Sequence, residues 1–245
     1  MQDSLTGKTA LVTGGSTGIG LAAAQELAAR GAHVVVTGRR ERELNDAVRA
    51  IGHGARGIVA DSSKLSELDR VYAQLDKLDI LVANAGGGDF ATLDAITEEH
   101  FDRIFATNVK GTVFTVQKAL PHLRDGAAIV LTGSTAGVKG TASFSVYSAT
   151  KAAIRNFARS WLIELAPRKI RVNVVSPGPV ETPGLAGLVP AEQKGALFGQ
   201  LAGIVPLGRL GTPAEIAKAI AFLASSDASF ITGAELFVDG GTAQI

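Results

Sequence analysis

A tyrosine and a lysine four residues apart, Tyr147 and Lys151, form the pair in this sequence whose chemistry is easiest to define. On a helix, two residues with this spacing lie on the same face. A positive charge about 4 Å from a phenol, at an effective dielectric constant near 20, is worth roughly 4 kcal/mol, or about three pKa units. It would move the tyrosine pKa from about 10 toward 7, where a phenol can donate and accept protons at working pH. Taken alone, such a pair is common by chance and is usually an ordinary surface contact.

A glycine-rich turn follows the first predicted strand, with the sequence Thr13-Gly14-Gly15-Ser16-Thr17-Gly18-Ile19-Gly20. Such glycines let the backbone approach a pyrophosphate, and the N-terminus of the next helix supplies free amides and a positive dipole end. A purely structural strand–helix turn explains the same glycines. The segment also matches the G-x-S-x-G pattern of serine hydrolases, with Ser16 as nucleophile. That interpretation is poor, because the hydrolase triad places its histidine last, whereas all four histidines here lie in the first half of the chain.

Two arginines, Arg39 and Arg40, follow Gly38 at the end of the second predicted strand. In dinucleotide-binding folds, an acid at this point accepts the ribose 2′-hydroxyl of NAD, whereas an arginine suits the 2′-phosphate of NADP. Gly38 leaves space there, and Arg39 offers a planar, permanently charged guanidinium. A solvated start of a helix would explain both arginines as well. Next to the glycine turn, they favour NADP(H) over NAD(H).

Seven short β-branched runs alternate along the chain with longer amphipathic stretches. The predicted strands are Thr9–Val12, His33–Thr37, Gly57–Ala60, Ile80–Ala83, Ala128–Thr132, Arg171–Val175 and Glu235–Val238, and the predicted helices include Gly18–Arg30, Lys64–Lys77 and Ala149–Leu165. This alternation predicts a doubly wound, seven-stranded parallel sheet with helices on both faces, a three-layer α/β/α Rossmann-type fold in one domain spanning residues 1–245. Ligands of such sheets bind at the carboxyl ends of the strands.

The irregular segment from Ser176 to about Thr212 is rich in proline and glycine. It is too long for an ordinary connection between a strand and a helix. It therefore predicts a substrate lid at about residues 183–211.

Composition excludes several classes of function. The chain has no cysteine, which excludes disulfides, thiol catalysis and zinc–thiolate sites, and we predict no metal site. Its net charge of +1 and its lack of a basic run argue against nucleic acid and anionic membranes as partners. The first residues, Met1-Gln2-Asp3-Ser4, contain no basic region followed by an apolar run, so neither a signal peptide nor a membrane span is predicted, and a cytoplasmic location is expected.

The chain resembles the short-chain dehydrogenase/reductase family from residue 5 to residue 241. The resemblance depends on motifs in family order and at family spacing: Thr13-Gly14 through Gly18-Ile19-Gly20, Asn84-Ala85-Gly86 after the fourth strand, Asn108, Ser134 thirteen residues before Tyr147, Lys151, and Pro177-Gly178 after the sixth strand. Together these motifs are highly specific. The family implies an oxidoreductase that uses a nicotinamide dinucleotide, and its members are commonly homotetramers.

The resemblance implies roles for four catalytic residues. Ser134 holds and polarises the substrate carbonyl, and Tyr147 transfers a proton to or from its oxygen. Lys151 lowers the tyrosine pKa and holds the nicotinamide ribose, while Asn108 steadies a water that passes protons toward Lys151. Taken alone, Ser134 could instead cap a strand end, and Asn108 could be a buried structural amide.

The resemblance also implies a set of cofactor contacts along the strand ends. Asp61 contacts the adenine, although Asp61 and Ser62 could simply cap a helix. The backbone of Val180 and the hydroxyl of Thr182 meet the nicotinamide carboxamide. The full implied set is Gly14, Ser16, Thr17, Gly18, Ile19, Gly20, Gly38, Arg39, Arg40, Asp61, Ser62, Asn84, Ala85, Gly86, Tyr147, Lys151, Pro177, Gly178, Val180 and Thr182.

Two positions depart from the family pattern. Thr17 stands where many NADP(H)-dependent members have a basic residue, which leaves recognition of the 2′-phosphate to Arg39 with its neighbours. Gly133 precedes Ser134 at a position where serine is frequent.

The expected substrate wall is small and apolar, and contains Gly87, Gly88, Thr135, Ala136, Phe144, Pro179 and the lid segment 183–190. Because it has no arginine cluster to bind a phosphate or carboxylate, a neutral ketone or secondary alcohol, bulky or aryl, is the favoured substrate. Two alternatives stay open: a 3-oxoacyl thioester on an acyl-carrier protein, and a dinucleotide-binding regulator without turnover.

Overall fold

The computed structural model describes residues 5–245, so the expectation that depends on Met1–Ser4 lies outside the described residues. The chain forms one parallel sheet in the order β3-β2-β1-β4-β5-β6-β7. The strands are β1 (Thr9–Val12), β2 (His33–Gly38), β3 (Arg56–Val59), β4 (Leu78–Ala83), β5 (Leu123–Thr132), β6 (Arg171–Pro177) and β7 (Glu235–Val238). The predicted Rossmann-type seven-stranded sheet is therefore confirmed.

Nine α-helices are found in the described residues, and the long ones cover both faces of the sheet. They are α1 (Gly18–Ala29), α2 (Glu41–Ile51), α3 (Leu65–Tyr72), α4 (Glu98–Phe105), α5 (Gly111–Ala119), α6 (Ser145–Leu165), α7 (Pro183–Ala186), α8 (Lys194–Gly203) and α9 (Pro213–Ala224). Side chains of α1, α2 and α9 form one apolar core with the sheet. Those of α3, α5 and α6 form the other. Strands buried by helices on both sides are expected to be continuously apolar, as the buried runs 10–12 of β1 and 34–36 of β2 are.

Two helix boundaries differ from the prediction by more than one residue. Helix α6 begins at Ser145, four residues before the predicted start, so Tyr147 lies in its first turn. Helix α3 ends at Tyr72, whereas the prediction extended to Lys77.

Helices α4 and α5 are joined by one π-helical turn, Ala106–Lys110, which contains Asn108. Single π-turns of this kind are often found at functional sites. No break in the amphipathic pattern of the sequence marks this turn.

The sequence suggested that the segment after β6 is irregular throughout. The structure shows that part of it is helical. It contains the short helix α7 and the longer helix α8, and Val180 forms an isolated parallel bridge with Gly211. Glycines within α8 leave its helical pattern weak, which explains why the sequence did not predict it. The role of the segment as a lid stays a prediction.

Within residues 5–245, no helix is long and apolar enough to cross a membrane. The same residues contain no cluster of three or more histidine, aspartate or glutamate side chains that could hold a metal ion.

Candidate active site

The predicted site residues lie at one edge of the sheet, where β1, β4, β5 and β6 end side by side. The chain order of the strands reverses between β1 and β4, which is where open α/β sheets bind their ligands. The turns after these four strands carry the glycine-rich segment, Asn84, Ser134 and Gly178. The structure thus brings together residues that are far apart in the sequence.

Ser134, Tyr147 and Lys151 meet where the end of β5 faces the first turns of α6. The Ser134 side chain lies within hydrogen-bonding range of the Tyr147 phenol and lowers its pKa. The Lys151 Nζ donates a hydrogen bond to the Thr132 carbonyl oxygen at 2.8 Å and lies 5.5 Å from the centre of the Tyr147 ring. Lys151 is buried, with 6% of its surface exposed. The three residues therefore meet in one place, where Lys151 is buried and Ser134 and Tyr147 are half-buried.

The expected drop in the Tyr147 pKa is wrong in sign for the cofactor-free protein. Burial raises the pKa of Tyr147, and the hydrogen bond with Ser134 lowers it by a smaller amount. Burial and Ser134 are the two causes of the shift, and the Lys151 ammonium is engaged by the Thr132 carbonyl instead. Burial also lowers the pKa of Lys151 itself, to about 8. Burial, which the spacing argument left out, dominates both groups.

The buried ammonium of Lys151 should make stability depend on pH. The lysine pKa is 10.5 for an unperturbed side chain and about 8 for Lys151 in the folded protein. Between these values the unfolded chain binds more protons, so the free energy of unfolding rises with pH, by about 3 kcal/mol in total. We expect Lys151→Met to abolish this rise in urea unfolding measured without cofactor. The exposed Lys218 gives the control Lys218→Met, which should keep the rise; a rise that survives in Lys151→Met would contradict the assignment.

Asn108 is buried, and its side-chain amide joins the turn after β4 to the catalytic helix. Its Oδ1 accepts a hydrogen bond from the Gly87 amide at 3.0 Å. Its Nδ2 donates to the Gly87 carbonyl at 2.8 Å and to the Thr150 Oγ1 at 3.0 Å. These contacts fix the amide orientation, and Thr150 in turn donates to the Tyr147 carbonyl at 2.6 Å. Through Thr150, the Asn108 amide thus contacts α6 between Tyr147 and Lys151, the two residues proposed to transfer protons.

The glycine-rich turn is packed so tightly that side chains are excluded at two of its glycines. Gly14 has a φ of +64°, and a Cβ there would lie 2.9 Å from the Ala85 Cα. A Cβ at Gly20 would overlap the Gly14 carbonyl oxygen. Asn84 closes the turn, since its Nδ2 donates to the carbonyls of Thr13 and Gly14 at 3.1 and 3.2 Å. The predicted supporting role of the Asn84–Gly86 segment is thus consistent with its contacts.

Helix α1, which follows this turn, has an uncapped N-terminus. Its N-cap residue Thr17 makes no side-chain capping bond, and no acidic side chain lies in the first turn. Free amides and the positive end of the helix dipole therefore face the turn, which suits a pyrophosphate. Ile19, in the first turn, packs against the core below.

Arg39 and Arg40 have different surroundings at the end of β2. Arg40 pairs with Glu43 at 2.9 Å. Arg39 is exposed and forms no hydrogen bond or ion pair with any residue from 5 to 245. Next to them, a Cβ at Gly38 would lie 2.9 Å from the Ser16 Oγ. The guanidinium of Arg39 and the hydroxyl of Ser16 are thus both available beside Gly38 to donate hydrogen bonds to a ligand.

Asp61 and Ser62 follow β3. Burial raises the pKa of Asp61, but hydrogen bonds from the Ser63 amide and hydroxyl and the charges of Arg39 and Lys64 outweigh it, so the net direction is downward. Asp61 is therefore ionised at neutral pH. Ser62 is buried, and its carbonyl oxygen lies against Gly111. The N-cap of α3 is Lys64, so neither the Asp61 nor the Ser62 side chain caps that helix.

Beyond β6, Pro177 and Gly178 lead the chain across the cleft. The Gly178 amide donates to the Val238 carbonyl at 3.1 Å, and a Cβ at Gly178 would lie 2.8 Å from the Asp239 Cα. Thr182 caps α7 by accepting a hydrogen bond from the Leu185 amide at 3.0 Å. Because an ideal Cβ at Gly18 would lie 3.4 Å from the Thr182 Cβ, the segment after β6 closes onto the glycine turn.

An aromatic stack, formed by Phe90, Phe144 and Tyr147, lies beside the catalytic residues. The ring centres of Phe144 and Tyr147 are 4.4 Å apart, and those of Phe90 and Phe144 are 4.9 Å apart. Gly88 packs on the Tyr147 ring, where a Cβ would lie 2.6 Å from Cδ2. From the sequence, Phe144 was placed on the substrate wall, but Phe90 was not included there. Its position in the turn after β4, next to Gly87 and Gly88, is the signal that could have found it.

The serine hydrolase interpretation gains no support. Ser16 lies beside Gly38, at the turn after β1. His33 and His122 lie at or before the amino ends of β2 and β5, His53 follows α2, and His100 is in α4. His33, His53 and His122 therefore lie away from the carboxyl-end edge that carries Ser16.

Comparison with known proteins gives one consistent family. A family model described as enoyl-(acyl carrier protein) reductase matches residues 14–243. The chain is 47% identical to the oxidoreductase asL5 of Sarocladium schorii, over 98% of each chain. It is 37% identical to the hydroxynaphthalene reductase-like protein Arp2 of Metarhizium brunneum, over 98% of this chain and 96% of that one.

A solved structure agrees with these relatives. The 3-ketoacyl-(acyl-carrier-protein) reductase from Brucella melitensis, complexed with NADH, has a TM-score of 0.91 and 35% sequence identity, with 98% of this chain and 100% of that chain covered.

Proposed function

The chain belongs to the short-chain dehydrogenase/reductase family of oxidoreductases, and from this premise we propose that it is an NADP(H)-dependent enzyme that interconverts a neutral ketone and a secondary alcohol. The observation that carries the proposal is the pair of Ser134 and Tyr147, within hydrogen-bonding range of each other, beside the buried Lys151. A dinucleotide-binding regulator without turnover would not need this set.

The proton chemistry follows from the surroundings of Tyr147. Because burial raises its pKa, the phenol is protonated at neutral pH, which is the state that a proton donor requires. In the reductive direction, Ser134 holds the carbonyl oxygen and Tyr147 gives it a proton; in the oxidative direction, Tyr147 takes that proton back. A bound nicotinamide supplies the hydride. Lys151, with Asn108 behind it, is placed to return the proton to Tyr147.

The residues around the glycine turn fit a dinucleotide. The uncapped start of α1 suits a pyrophosphate, and the tight packing at Gly14 and Gly20 holds the turn that precedes this helix. The unpaired Arg39 beside Gly38 and Ser16 suits a 2′-phosphate, which supports NADP(H) over NAD(H). The similar Brucella melitensis reductase was solved with NADH, so this neighbour does not support NADP(H). The proposed preference for NADP(H) over NAD(H) therefore depends on Arg39. Val180 and Thr182 complete the proposed nicotinamide contacts.

The proposed substrate is a neutral aryl ketone. Phe90 leaves 42% of its surface exposed at the outer end of the aromatic stack, which offers a flat apolar face one ring away from Tyr147. The relative named for hydroxynaphthalene is consistent with an aromatic substrate. The relative that carries the name of a 3-ketoacyl-(acyl-carrier-protein) reductase supports the runner-up, a 3-oxoacyl thioester.

The experiment is a panel of aryl ketones, alkyl ketones and 3-oxoacyl thioesters, assayed by nicotinamide absorbance with NADPH and NADH. We expect the highest kcat/KM for aryl ketones with NADPH. Phe90→Ala should lower kcat/KM for aryl ketones by about fivefold and change that for alkyl ketones little, since a lost aromatic contact is worth about 1 kcal/mol. The exposed Phe230, at the opposite edge of the sheet, gives the control Phe230→Ala. Preference for the thioester would favour the runner-up.

We also propose a homotetramer. An apolar groove of about 510 Å³ lies along α4, the π-turn and α5, and is lined by Asp102, Phe105, Ala106, Val109, Lys110, Val113 and Phe114. Covering it with a second copy would bury exposed apolar surface. Light scattering after size exclusion should give the mass of four chains, and Phe114→Glu should give a smaller species. A wild-type monomer would contradict the proposal.

A cytoplasmic location stays a prediction of the sequence.

A further inference from the structure

The glycine before Ser134 has a spatial cause. The Gly133 amide donates to the Val175 carbonyl at 2.7 Å, which places Gly133 beside Ser176 on the neighbouring strand. A Cβ at Gly133 would overlap the Ser176 Oγ and would lie 2.7 Å from the Val174 Cγ1. Gly133 does not have a positive φ. Space, rather than backbone conformation, therefore requires glycine here, and the hydroxyl of Ser176 occupies that space.

Ser176 is completely buried and is held in place by a polar network. Its Oγ donates to the Glu235 Oε1 at 2.6 Å. The Glu235 Oε2 lies 3.1 Å from the Arg155 Nε, and the Arg155 Nη1 donates to the Gly233 carbonyl at 2.8 Å. A buried hydroxyl that donates to a carboxylate makes a strong, short hydrogen bond, which fixes its rotamer.

Both ends of this network reach the catalytic residues. Arg155 lies one helical turn after Lys151 on α6, the helix that also carries Tyr147. At the other end, the Ser176 hydroxyl packs on Gly133, directly before Ser134. The network thus connects the two elements whose separation sets the Ser134–Tyr147 hydrogen bond. In a close-packed interior, such contacts transmit small displacements.

We propose that Ser176, held by Glu235 and Arg155, is a positioning residue that fixes Gly133 and thereby aligns the Ser134 hydroxyl with Tyr147. The part of this proposal that concerns turnover rests on the proposed function. Ser176 does not touch the reacting atoms. Its effect on the reaction passes through Ser134.

The first test is Ser176→Ala. We expect kcat for ketone reduction to fall about tenfold, because misalignment of reacting groups by a fraction of an ångström is enough for such a loss. The Kd for NADPH should not change. Since the Ser134 hydrogen bond lowers the pKa of Tyr147, weakening it should move the alkaline limb of the kcat profile to higher pH. A purely structural residue would not move that limb.

A second test moves the serine side chain from position 176 on β6 to position 133 at the end of β5, so that it fills the same volume from the other side. Ser176→Gly alone should lower kcat like Ser176→Ala. Adding Gly133→Ser to it returns a hydroxymethyl group to the vacated volume and should recover at least about fivefold of the loss. Gly133→Ser alone should be impaired, because Ser176 still fills the space. If Ser176→Ala fails to fold, Glu235→Gln keeps the side-chain shape and should lower kcat about threefold, since it weakens a charge-assisted bond.

A titration makes the proposal testable without turnover. The chain has two tyrosines, so the titration is done in a Tyr72→Phe background, in which Tyr147 is the one phenol left in the sequence. Phenolate absorbance in this background should show a higher Tyr147 pKa with Ser176→Ala than without it. An inactive wild type with this shift would contradict the proposed function alone. An unchanged titration, or a double variant no better than Ser176→Gly, would overturn the positioning role.

Discussion

Replacing Tyr147 by phenylalanine is expected to lower kcat for ketone reduction by at least about a thousandfold. The substitution keeps the ring that packs on Phe144 and Gly88 and removes only the hydroxyl that gives the carbonyl oxygen its proton. Proton transfer by a positioned side chain contributes about 10²–10⁴-fold to a rate, and no other acid among the described residues is hydrogen bonded to Ser134. Initial rates with saturating NADPH give the measurement.

The control for this variant is Tyr72→Phe, which changes the other tyrosine of the chain. The Tyr72 hydroxyl is buried and donates to the Thr115 carbonyl at 2.5 Å, beneath α5 and away from the candidate site. Tyr72→Phe should lose stability and keep kcat. The Kd for NADPH should stay near the wild-type value in both variants. A Tyr147→Phe variant within tenfold of the wild-type kcat would remove Tyr147 from the role of proton donor.

Replacing Arg39 by alanine is expected to reduce kcat/KM with NADPH by about 10- to 100-fold and to leave kcat/KM with NADH nearly unchanged. A hydrogen bond to a charged group is worth about 1.5–3 kcal/mol, which corresponds to this range. Within residues 5–245, Arg39 forms no hydrogen bond or ion pair and interacts only through its charge with Asp61, so its removal should disturb the fold little.

The matched variant is Arg40→Ala, which removes the same charge one residue later. Because Arg40 is already paired with Glu43, its loss should change the ratio of the two efficiencies by less than about threefold. An Arg39→Ala variant with an unchanged NADPH/NADH ratio would exclude Arg39 as the reader of the 2′-phosphate. A larger effect at Arg40 would transfer that role to it.

The sequence predicted the sheet well because buried parallel strands have a strong local signature. The core runs of β1, β4 and β6 are apolar and bounded by turn residues, so their existence and order could be inferred without tertiary information. The carboxyl-end rule then placed the glycine turn, Asn84 and Ser134 at one edge. The spacing of Tyr147 and Lys151 likewise follows from helix geometry alone.

Features that depend on contacts across the fold could not be predicted. Ser176 excludes a side chain at Gly133 because β5 and β6 pair in one particular register, which no local pattern encodes. The direction of the Tyr147 pKa shift depends on burial by residues from several elements. Helix spacing by itself leaves out this effect of burial. The π-turn that holds Asn108 also arises from packing, since its hydrogen bonds go to Gly87 and Thr150 on other elements.

The most direct test of the central claim is a single-turnover experiment. Preformed complexes of NADPH with the wild type and with Tyr147→Phe are mixed with an aryl ketone in a stopped-flow instrument, and nicotinamide absorbance is followed. Our account predicts a rapid, stoichiometric loss of NADPH in the wild type and a rate at least about a thousandfold lower in the variant. Equal rates in the two proteins, or no oxidation of NADPH by the wild type with any ketone, would contradict it.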